Sequence, residues 1–89
     1  MSILEIKISG RFSRVGISFL VMQAAYKYNI HGFIHKENPD SFKIVAQSTN
    51  EGLDNFTDYI KSGYIGSRIK SIEITSLEDS HGFQSFDII

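Results

Sequence analysis

The residues with chemistry to offer gather in one stretch, Gly10-Arg11-Phe12-Ser13-Arg14-Val15-Gly16-Ile17-Ser18. It holds two arginines and two serine hydroxyls between two glycines. A strand-like run, Ile3 to Ile8, precedes it, and a helix-like run, Ile17 to Tyr28, follows. Such a loop leaves backbone N–H groups without strand or helix partners. It ends at a helix N-terminus, where unpaired amides and the helix dipole favour an anion. The chemistry this predicts is an anion cradle, with residues 11 to 16 around the ligand. A plain strand-to-helix connection with two turn glycines has the same spacing, and glycine patterns this short do not separate the two.

Other reactive groups lack partners. His31 and His35 are four apart, a metal-pair spacing on a helix, but this segment reads as a strand. There they share a side yet stand well separated, at ~3.3 Å rise per residue. No acidic or cysteine ligand shares their spacing or that of His81, so no metal site is expected. No base is placed beside Ser13 or Ser18, so a Ser–His–Asp arrangement is not expected either.

The elements that must hold the loop follow from periodicity. Leu4, Ile6 and Ile8 alternate with Glu5 and Lys7, a half-buried strand. Ile17, Leu20, Val21, Ala24, Ala25 and Tyr28 recur at helical spacing as the face that packs on a sheet, and Asn29 suits a left-handed stop. Phe19, Met22 and Tyr26 form a second apolar stripe on nearly the opposite side, where polar residues are the rule. Either neighbouring loops and long side chains cover that stripe, or it meets another protein, such as a second copy in a homodimer.

Gly32 to Glu37 and Phe42 to Ser48 read as a hairpin around Asn38-Pro39-Asp40-Ser41, the strongest turn signal in the chain. Thr49 or Asn50 caps a second helix buried through Leu53, Phe56 and Ile60, with Gly63 at its C-terminal end. Ser67 to Ser76 is a strand whose irregular Ile69–Ile72 spacing predicts a bend or bulge. Leu77 to His81 is a polar turn. Phe83 to Ile89 is a last strand or extended tail, with Phe86 and Ile88 inward. Each half reads strand–helix–strand, so the expectation is an α+β, ferredoxin-like βαββαβ sandwich: one domain over residues 1 to 89, with two helices on one face of an antiparallel sheet.

Composition narrows the function classes. A chain of 89 residues, 42% hydrophobic, suits one packed domain. Net charge −1 gives no general nucleic-acid affinity. The absence of cysteine removes disulfides, thiolate metal sites and a cysteine nucleophile. No signal-peptide pattern or membrane-length apolar run is seen, so a cytoplasmic protein without membrane contact is expected.

The stretch Gly10 to Ser18 resembles the acylphosphatase signature Gly-Arg-Val-Gln-Gly-Val-Gly-Phe-Arg. Gly10, Arg11, Val15 and Gly16 match, and Phe12 and Ile17 are apolar replacements. Ala25, Ile30 and Gly32-Phe33-Ile34 continue the likeness, as do Phe56, Gly63, Ile69, Ile72, Phe83 and Phe86. The resemblance implies the acylphosphatase fold and cleavage of the carboxyl–phosphate bond of acyl phosphates, without a cofactor. It places the family's catalytic arginine at Ser18, its catalytic asparagine at Lys36 and the middle glycine of its phosphate loop at Arg14.

The expectation is therefore an acylphosphatase-like domain with impaired catalysis. It would keep at most a cradle for a small phosphate or carboxylate, or act as an interaction module. The alternative is an active acylphosphatase in which Lys36 or Arg14 replaces the arginine. A third class is a regulatory domain that binds a metabolite between copies.

Overall fold

A computed structural model describes residues 1–78 and 82–89. The chain forms β1 (Ser2–Gly10), α1 (Ile17–Lys27), β2 (His31–Asn38), β3 (Ser41–Ser48), α2 (Asn50–Lys61), a single turn α3 (Gly63–Gly66), β4 (Ile69–Leu77) and β5 (Phe86–Ile88). The strands make one sheet in the order β4-β1-β3-β2-β5. The β1–β3, β1–β4 and β2–β3 pairs are antiparallel, as the strand–helix–strand reading requires. The sheet is nevertheless mixed, because β5 runs parallel to β2 at the edge.

Alternation sets the two faces. Ile6 sits opposite Ile44, and Ile8 opposite Phe42. These four are buried with Ile34, Phe86 and the inner residues Ile17, Val21, Ala25, Leu53, Phe56 and Ile60 of the two helices. Phe56 meets Phe86 edge-on, with ring centroids 6.4 Å apart. Phe86 is inward as expected, but Ile88 is 48% exposed on the edge strand of the sheet.

The outer face carries a strap. The Phe83 N–H donates to Gln47 Oε1 (3.1 Å), and the Phe83 ring packs against Phe33. His31 Nδ1 donates to the Phe83 carbonyl (3.1 Å), and His35 Nδ1 to the oxygen of Ile89 (3.2 Å). The two histidines thus dock the C-terminal segment onto β2. His81 and most of the expected 77–81 turn lie outside the described residues.

Local signals set the boundaries. Asn29 has φ 57° just beyond α1, the left-handed stop. Thr49 caps α2, its hydroxyl accepting from the Gly52 N–H at 3.1 Å. Gly63, at φ 65°, follows the α2 cap residue Ser62 and turns the chain into α3. The Asp40 N–H donates to Asn38 Oδ1 at 2.9 Å, which closes the Pro39-Asp40 turn. The irregularity in β4 is a register shift: Ser9 pairs with Ser71 but Gly10 with Ile69, which leaves Lys70 as the extra residue.

Candidate active site

The loop of residues 11 to 16 is held at both ends by backbone bonds. The Gly10 N–H donates to the Asp40 carbonyl (2.9 Å), and the Arg11 N–H to the Arg68 carbonyl (2.9 Å). These bonds tie the loop to the β2–β3 turn on one side and to the start of β4 on the other. Gly10 lies so close to the Arg68 carbonyl that a Cβ there would overlap it. Phe12 anchors the middle: it is 3% exposed and meets Phe42 edge-on, with centroids 5.7 Å apart.

Between these anchors the chain turns through Ser13 and Arg14, and the Val15 N–H donates back to the Phe12 carbonyl at 3.1 Å. Arg14 has φ 61°, a left-handed conformation in which glycine is favoured over other residues. Arg14 therefore holds a turn of the kind that glycine makes without strain.

Helix α1 starts at Ile17 without help from side chains. Its cap residue Gly16 makes no side-chain cap bond, and no acidic residue stands in the first turn. Among the described residues, the N–H groups of Ser13, Arg14, Gly16, Ser18 and Phe19 have no acceptor. Five donors within seven residues, two of them at a helix N-terminus, form a surface that complements negative charge.

Ser18 is half-buried in the first turn of α1. Lys36 is exposed in β2, on the helix-side face with Ile34, and pairs with Phe42, the residue that receives the Phe12 ring. The fold thus brings Ser18, Lys36 and the loop to one end of the sheet. Arg11, Ser13 and Arg14 are exposed there, with Val15 half-buried and Gly16 exposed. Among the described residues, neither Arg11, Arg14 nor Lys36 pairs with a carboxylate. Phe19 and Tyr26 are 55% and 62% exposed on the far side of α1, whereas Met22, between them in sequence, is half-buried against the core.

Two further cations were not singled out from sequence. Arg68 and Lys70 border a cleft of ≈ 620 Å³ that opens beside the loop, with Arg11, Ser13 and Val15 on its other side. The bulge signal in β4 was legible, but its consequence for these side chains depends on pairing with β1.

A ferredoxin-like α+β sandwich with an amide-lined strand–loop–helix turn is the class that fold and site define. The acylphosphatase family model matches residues 4–88. The chain is 32% identical to an acylphosphatase of Pseudothermotoga lettingae, covering 100% of this chain and 99% of that protein. It is 31% identical to an acylphosphatase of Listeria monocytogenes, covering 94% and 91%. The crystal structure of Bacillus subtilis acylphosphatase superposes with a TM-score of 0.90 at 25% identity, covering 100% and 99%. The chain belongs to the acylphosphatase family. Among the described residues no helix is long and apolar enough to cross a membrane.

Proposed function

We propose that this domain binds a small phosphate or carboxylate anion in the loop but hydrolyses acyl phosphates far more slowly than its relatives. The observation that carries this reading is the pairing of an open loop with Ser18. The donors of Ser13, Arg14, Gly16, Ser18 and Phe19 remain unbonded, and Arg14 holds the left-handed turn. The resemblance to the family's signature puts Ser18 where the catalytic arginine stands, and a hydroxyl carries no positive charge. Loss of a cation that stabilises a transferring phosphoryl group costs on the order of 10³–10⁵ in rate, by analogy with an arginine finger.

Lys36 supports binding better than turnover. A protonated lysine donates hydrogen bonds and accepts none, so it does not orient an attacking water as an amide oxygen does. It does bring a compact positive charge to the loop end of the sheet, as Arg14 does from the loop itself. Together they strengthen anion capture without supplying the group that positions water.

Titration with inorganic phosphate, followed by amide NMR, tests the reading. The resonances of Ser13, Arg14, Gly16, Ser18 and Phe19 should shift together and saturate, with those of α2 unmoved. An unmoved loop at high phosphate contradicts it.

A second reading rests on Phe19 and Tyr26, whose exposed rings are seven residues apart on one side of α1. They suit a weak contact with a second copy. Sedimentation equilibrium of Phe19→Ser with Tyr26→Ser checks it: association should vanish in the variant. A natural chain that stays monomeric at high concentration rejects it.

A further inference from the structure

The cleft beside the loop has a consistent sign. Arg11, Arg68 and Lys70 line it with Ser13 and Val15, and among the described residues no aspartate or glutamate does. Among the described residues none of the three cations pairs with a carboxylate. In a chain of net charge −1, that is a local concentration of positive charge.

The cations are placed by the backbone. Arg11 and Arg68 are joined through the bond from the Arg11 N–H to the Arg68 carbonyl. The Arg68 guanidinium stacks on Tyr64, 4.1 Å from the ring centroid, which limits the orientations it samples. Lys70 is the bulged residue of β4, and a bulge re-aims the side chain it carries. The cleft shares Ser13 and Val15 with the loop, so a ligand seated on the loop amides has this cluster as its neighbour.

We propose that the cleft holds a second anionic group, so that the preferred ligand is a small molecule with a phosphate for the loop and a further phosphate or carboxylate for Arg11, Arg68 and Lys70. The proposal rests on the loop being an anion cradle. It goes further in assigning ligand class and in naming Arg68 and Lys70 as binding residues. Two guanidinium groups suit either oxyanion, because the same fork of donors matches both.

Calorimetry with three probes tests it: inorganic phosphate, methylenediphosphonate and phosphonoacetate. At least one two-headed probe should bind about tenfold tighter than phosphate, the effect of one further charge-assisted contact. Whichever gains more tells phosphate from carboxylate at the second position. In Arg68→Gln with Lys70→Gln, side chains outside the core, that gain should disappear, so that the two-headed probes bind no tighter than phosphate does to the same variant. Lys27→Gln, at the opposite end of α1, should leave the gain intact and serves against general polyanion attraction. Equal affinity for all three probes, or a gain that survives the Arg68/Lys70 change, overturns the second-anion site and leaves the loop reading standing. A gain lost in that variant, with no phosphate binding, keeps the cleft and rejects the loop. No binding of any probe overturns both.

Discussion

The Phe12 ring meets Phe42 edge-on at 5.7 Å, and Phe42 is the cross-strand partner of Lys36. One aromatic contact therefore fixes the middle of the loop against the part of the sheet that carries the cation nearest in register. Phe12 is a loop residue with the burial of a core residue. Phe12→Ala should cost about 3–5 kcal/mol of stability, as large aromatic truncations do. Urea unfolding measures this, and a loss below ~1 kcal/mol would show that the ring does not anchor the loop.

Arg14 stands in a conformation that costs a non-glycine residue about 1–2 kcal/mol. Arg14→Gly removes that strain but adds freedom to the unfolded chain, which takes back part of the gain. A net stabilisation of about 0.5–1 kcal/mol is expected, a rise of a few degrees in Tm for a domain of this size. Phosphate affinity should fall a few-fold with the lost charge. Tighter phosphate binding in the variant would mean that Arg14 obstructs the cradle.

Gly10 is required by close approach. A Cβ there meets the Arg68 carbonyl, the acceptor of the Arg11 N–H. Gly10→Ala should destabilise by roughly 2 kcal/mol or more, because backbone rather than a flexible side chain must move. It should also weaken binding of two-headed anions more than binding of phosphate, since the cleft is built on that junction. Thermal unfolding and the calorimetric series read both effects.

Much of this arrangement was legible in the sequence. Alternation in Leu4–Ile8, the Pro39-Asp40 turn, the Thr49 cap and the Asn29 stop are short-range signals, and each stands as read. The parallel edge strand β5 was not legible, since three residues carry too little pattern to show direction or the exposure of Ile88. Met22 belonged by spacing to an outer stripe, yet it is half-buried against the core. Arg68 and Lys70 were invisible as site residues for another reason: they face the loop only through a pairing between strands about 60 residues apart in sequence.

The central claim is that the fold keeps its anion cradle while the chemistry at Ser18 and Lys36 has changed. Benzoyl phosphate hydrolysis by the natural chain and by Ser18→Arg with Lys36→Asn tests it most directly. The account predicts hydrolysis near background for the natural chain and a gain on the order of 10³-fold or more in the double variant. Turnover by the natural chain far above background, lost on changing Lys36 or Arg14, would contradict the account and make those cations the working replacement for the arginine.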